Sequence, residues 1–134
     1  MIISTAKKIL LIEPETLLAD LTSFRLELLA YPIETVTTAA DGLSAIESNK
    51  PDLVICNSRL PDFDGLELVS KLRTEWTAEQ LPILIISFES ALEIVERAFL
   101  AGAQDYLVIP FDPQVLEDKI QRILDAQHSL AHSR

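Results

Sequence analysis

Five short apolar runs, each followed by a stretch of helical period, constrain the fold of this chain more than any other feature. The runs are Lys8–Ile12, Ile33–Thr37, Leu53–Cys56, Ile83–Ile86 and Tyr106–Val108. The central ones are continuous instead of alternating, the pattern of parallel strands covered on both faces. Between them, Leu17, Leu18, Leu21, Phe24, Leu28 and Leu29 mark one helix face. Leu68, Val69, Leu72 and Trp76 mark a second, Ala91, Ile94, Val95 and Ala98 a third, and Leu116, Ile120, Ile123 and Leu124 a last one. The weakest helix is Gly42 to Asn49, where only Leu43 and Ile46 offer an apolar stripe. Pro51, Pro82 and Pro110 punctuate the strand boundaries. Strand and helix alternating five times predict a parallel sheet with helices on both faces.

In such folds, ligands and chemistry lie beyond the carboxyl ends of the strands. The residues directly after the runs are Glu13 and Pro14, then Asn57, then Ser87 and Phe88, then Ile109 and Pro110. One carboxylate, one amide and one hydroxyl form a poor set for catalysis, so the chain is expected not to be an enzyme.

The 134 residues fit one domain spanning 1–134, with a core over about 7–127 and a tail at 128–134. A domain of this size buries about 68% of the surface its unfolded chain exposes, so neither disulfide nor metal is needed to hold it. The formal charge of −10 repels phosphate backbones and anionic lipid, which argues against direct nucleic-acid or membrane binding. Proteins and small ligands remain as partners. The start of the chain, broken by Ser4, Thr5, Lys7 and Lys8, reads as neither signal peptide nor anchor, so a cytoplasmic location is expected. The lone Cys56 cannot form an internal disulfide and ends an apolar run, so it reads as a buried, inert thiol.

At the same strand ends the chain resembles the receiver domains of two-component response regulators. Lys8-Ile9-Leu10-Leu11-Ile12-Glu13-Pro14-Glu15 is similar to the family's opening strand, which ends in two acidic residues. Pro51-Asp52-Leu53-Val54-Ile55-Cys56-Asn57 resembles the strand that presents the phosphoacceptor aspartate, and Leu60-Pro61-Asp62-Phe63-Asp64-Gly65 the loop after it. Ala101-Gly102-Ala103-Gln104-Asp105-Tyr106-Leu107 with Pro110-Phe111 is the most diagnostic segment. The resemblance covers Lys8 to about Gln127 and implies a flavodoxin-like (βα)5 fold with strand order 2-1-3-4-5. It also implies a cis bond between Ile109 and Pro110.

The resemblance further implies that an aspartate accepts phosphate with magnesium's help, while a lysine and a Ser/Thr read the result. Here Asn57 stands at the aspartate position, and its amide oxygen gives no stable acyl phosphate. Pro14 stands at the second acidic position, leaving Glu13 alone, so magnesium binding is expected to be weak or absent. Ile109 replaces the lysine and can neither neutralise phosphoryl oxygens nor donate to them. Joint loss makes physical sense, because removing one member of a buried charge cluster costs about 3–5 kcal/mol whereas replacing all of them can be nearly neutral. Phe88, where the family has a small residue, is expected to help repack the pocket.

Ser87 and Tyr106 fill the family's switch positions; their ordinary reading is a strand-end serine bonded to backbone and a half-buried tyrosine. Asn57 is expected to cap its loop through backbone amides, and Glu13 either to pair with Arg59 or to be solvated. His128 and His132 share a helical spacing but lack a third ligand. The fourth helix carries Leu92, Phe99 and Leu100 beyond its core stripe. By resemblance, the face of the fourth helix, fifth strand and fifth helix is the surface for a protein partner or homodimer, with Leu92 and Phe99 as anchors.

The leading expectation is therefore an atypical receiver acting in signal transduction as a phosphorylation-independent interaction or dimerisation module. One alternative is phosphorylation on a non-standard residue such as Asp62 or Asp64. Another is a pseudo-receiver sensing a small ligand, although Glu13-Pro14-Glu15 offers no glycine-rich phosphate cradle after the first strand.

Overall fold

The computed structural model describes residues 6–132, with side chains described through Gln127. Its elements are β1 (Ile9–Ile12), α1 (Thr16–Glu27), β2 (Ile33–Val36), α2 (Ala39–Ser48), β3 (Leu53–Asn57), α3 (Gly65–Arg73), β4 (Ile83–Ser87), α4 (Leu92–Ala101), β5 (Asp105–Val108) and α5 (Pro113–His132). All strands pair in parallel in the order β2-β1-β3-β4-β5, the arrangement expected from the sequence. Each predicted run lies within one residue of a strand at either end. Helix α5 continues to His132, where the sequence suggested a tail from residue 128. The side chains of His128 and His132 lie outside the described residues.

The two-residue period of the strands divides the core into two layers. Leu10, Ile12, Val54, Cys56, Ile83 and Ile85 point to one face, where α2, α3 and α4 cover them. Ile9, Leu11, Leu53, Ile55, Leu84 and Ile86 point to the other, under α1 and α5. The three central strands are buried at every position. This explains their unbroken apolar sequence, and each fully buried aliphatic side chain contributes about 1.5–3 kcal/mol.

The helix stripes of α3 and α5 face inward as read: Leu68, Val69 and Leu72 are buried, as are Leu116, Ile120 and Leu124. Trp76 lies just beyond α3, packs against the same layer and has the Lys50 amine 5.5 Å from its ring centroid. Helix α4 buries only Ala98, with Ile94 and Val95 partly covered and Ala91 outside as the N-cap residue.

Helix α1 departs from most of the expected face, of which only Leu18 packs against the core, partly buried. The helix buries Ala19, Thr22 and Leu26, whereas Leu17, Leu21, Phe24, Leu28 and Leu29 are exposed. Periodicity identifies an apolar stripe but not what it touches, and α1 is apolar on two opposite sides. The side with the small residues Ala19 and Thr22 lets the helix backbone approach the sheet closely, and that side is the one buried.

Loop chemistry fixes the strand-end region. Asp64 caps α3 by accepting from the amides of Leu66 (2.8 Å) and Glu67 (3.2 Å). Gly65 follows because a Cβ there would lie 2.3 Å from the Asn57 carbonyl oxygen. At the far end of α4, Gly102 takes a left-handed φ of 117°, closing the helix.

Candidate functional site

The carboxyl ends of β1, β3 and β4 bring Glu13, Asn57, Ser58 and Ser87 together, all buried. The side-chain amide of Asn57 is engaged at both ends: Nδ2 donates to Glu13 Oε1 at 2.9 Å, and Oδ1 accepts from the Arg59 amide at 2.9 Å. The second contact is the loop cap anticipated for Asn57. Glu13 Oε2 accepts from the Glu15 amide at 3.0 Å, which turns the chain over Pro14. Burial pushes the Glu13 carboxyl above its usual range, while the Asn57 and Glu15 hydrogen bonds partly oppose that shift.

Two expectations for Glu13 and Arg59 are corrected. Glu13 is neither paired with Arg59 nor solvated; it is fully buried against Asn57. Arg59 reaches outward to the Glu89 carboxylate. Phe88 also differs from its expected role, being 67% exposed at the crevice rim, so it does not fill the pocket. The backbone explains this: β4 residues alternate faces, and the turn after Ser87 aims the next side chain outward. A crevice of about 240 Å³ remains, lined by Glu13, Pro14, Asn57, Ser58, Ser87 and Phe88 among others.

Ser87 and Tyr106 converge on one loop residue. Ser87 Oγ accepts from the Glu89 amide at 3.0 Å and lies 2.6 Å from Ser58 Oγ. Tyr106 Oη donates to the Glu89 carbonyl at 2.7 Å, and the ring is buried, not half-buried as its sequence suggested. Glu89 thus ties the serine, the tyrosine and Arg59 into one framework at the entry to α4. Ser58 and Glu89 were not singled out by the sequence. Ser58 was legible as the neighbour of Asn57, two residues beyond the third run, whereas Glu89 is identified only by the fold of the loop.

Ile109 is buried beneath the site in the α1–α5 layer, and the Ile109–Pro110 peptide is cis as the resemblance implied. The loop carboxylates are both engaged. Asp62 accepts from the amides of Ala39 (2.9 Å) and Ala40 (3.0 Å) at the start of α2, and these bonds hold its carboxyl below the usual range. Burial alone would raise Asp64, but the Arg97 pair and the α3 amides outweigh it and hold the group low. Burial pushes the Cys56 thiol up, in keeping with an inert sulfur.

The family model for the response regulator receiver domain matches residues 9–121, a span containing every strand and the first half or so of the last helix. The chain belongs to the response regulator receiver family. A receiver domain protein, CheY-like, from Methanospirillum hungatei is 30% identical with a TM-score of 0.87, over 93% of this chain and 98% of that one. The BeF3-activated DrrB receiver domain is 25% identical with a TM-score of 0.81, over 90% and 99%. The alkaline phosphatase synthesis transcriptional regulatory protein PhoP of Bacillus subtilis is 30% identical over 118 residues, 88% of this chain and 48% of PhoP. The chain thus spans about half the length of that regulator. Among the described residues, no helix of this receiver is long and apolar enough to cross a membrane.

Proposed function

We propose that this receiver works in signal transduction as a non-enzymatic interaction module whose state does not depend on phosphorylation. The observation that carries this reading is the closed Glu13–Asn57–Arg59 arrangement. At the end of β3, where receivers present an aspartate, the only side chain is a neutral amide with both ends already hydrogen-bonded. No anionic nucleophile is aimed at the crevice from that position.

The donor set also fails to fit magnesium. Pro14 has no side-chain oxygen, Asn57 Oδ1 is held by the Arg59 amide, and the single carboxylate of Glu13 is buried and already accepts two hydrogen bonds. A hard divalent ion needs several free oxygens in octahedral array, and binding here is expected to be weak or absent. Ile109, buried where the family places a lysine, supplies no cation for phosphoryl oxygens. Asp62 and Asp64 are poor substitutes as acceptors, since each caps a helix.

In this reading the approach to α4 is set by protein hydrogen bonds, Ser87 and Tyr106 both engaging the Glu89 backbone. Leu92 is 69% and Phe99 46% exposed, available as anchors for a protein partner or a homodimer across α4, β5 and α5. The deciding experiment treats the purified chain with acetyl phosphate and magnesium, followed by intact mass, and records amide spectra with beryllofluoride. No adduct and no saturable shifts near Asn57 are expected; a stoichiometric, magnesium-dependent adduct overturns the reading.

A further inference from the structure

Helix α1 has a second apolar side with no role in the domain's own core. Leu17, Leu21, Phe24 and Leu28 are between 60% and 66% exposed and lie opposite the buried Ala19, Thr22 and Leu26. Their spacing of four, three and four residues is the a/d seam with which one helix packs along another at a shallow angle. With Leu29, these side chains expose apolar surface on the order of 500 Å², near the upper limit for a lone monomer. This supplies much of the roughly 800 Å² per partner that a stable complex buries. A cavity of about 350 Å³ lined by Leu21, Phe24, Phe111 and Leu116 among others extends the patch toward α5.

The flanking charges specify what fits there. With Leu17 and Phe24 at d and Leu21 and Leu28 at a, Asp20 and Glu27 fall at g and Arg25 at e. Two antiparallel copies would set the acidic g positions against each other. Two parallel copies instead set Asp20 of each beside Arg25 of the other, twice by symmetry. Arg25 is positioned on this flank by Glu117 of α5, which engages its Nε.

We propose that a second copy of this chain docks along α1, parallel to the first, through Leu17, Leu21, Phe24 and Leu28 of both protomers. This seam lies on the opposite layer from α4 and leaves that face open.

Sedimentation of the 134-residue chain across roughly 1–100 µM, the range where a modest interface shows itself, should reveal a dimer. Phe24→Glu should weaken it at least tenfold with unchanged circular dichroism, and Leu92→Glu should leave it intact. Leu21→Cys and Leu28→Cys should each cross-link to themselves on oxidation, since two positions seven residues apart can both meet their own copies only in the parallel pair; buried Cys56 does not compete. A strict monomer, a dimer sensitive to Leu92→Glu but not Phe24→Glu, or failure of either cysteine to cross-link overturns the proposal. So does a monomer in which Phe24→Glu abolishes only the binding of a different protein's helix.

Discussion

At the scale of single residues, the Glu13–Asn57 pair dominates. A carboxylate can be buried here because the opposing side chain donates to it; a second carboxylate at that distance would repel it. Asn57→Asp is therefore expected to destabilise the domain by about 1–3 kcal/mol at pH 7, read by urea denaturation. The penalty should shrink as pH falls and one carboxyl of the pair takes up a proton. Glu13 in the natural chain obeys the same sign. Its folded pKa is raised above 4.5, so its ionisation opposes folding at neutral pH, and that cost disappears as pH falls toward 4.5. Glu13→Gln should remove this component from the stability–pH curve. Asp62 and Asp64 act oppositely: their folded values lie below 3.8, so their contributions are present above that value and lost in stronger acid.

At the scale of elements, the ends of α3 and α4 are joined by a side chain that no motif singled out. Arg73 donates from Nε to the Gly102 carbonyl (3.0 Å), from Nη1 to the Leu81 carbonyl (2.8 Å) and from Nη2 to Gln104 Oε1 (2.9 Å). It links the end of α3 to the approach of β4 and to the α4–β5 turn. Arg73→Ala is expected to cost about 1.5–3 kcal/mol in thermal or urea unfolding, because buried carbonyls lose a charged donor. Gly65→Ala tests the neighbouring loop. Its methyl would collide with the backbone at Asn57 and Ser58, and about 1–3 kcal/mol of overpacking should appear as a lowered melting temperature.

At the scale of the whole molecule, the central sheet is sealed on both faces, so what remains for recognition is helix surface. The acidic excess keeps most of that surface solvated, and the apolar exceptions on α1 and α4 lie on opposite layers. Replacing Leu92 and Phe99 together with glutamate should change unfolding free energy by less than about 1 kcal/mol, because both side chains already face water. The same double variant should abolish capture of a protein partner that uses α4, measured by calorimetric titration against that partner.

The strand runs, their parallel pairing and the roster of residues at the strand ends were legible in the amino-acid sequence, while the strand order followed from the family resemblance. Buried parallel strands require continuous apolar sequence, and the loop motifs carry specific turn chemistry. The sequence also identified the residues of α3 and α5 that face inward, since each of these helices has one apolar side. It could not orient α1, where two apolar sides competed and close approach through Ala19 and Thr22 decided the packing. Nor could it pair Glu13 with Asn57 in place of Arg59, or turn Phe88 outward, because those outcomes depend on which neighbours the crossing strands bring within hydrogen-bonding distance. Local pattern sets what each segment can bury, and only the assembled layers determine which of its faces meets protein and which meets water.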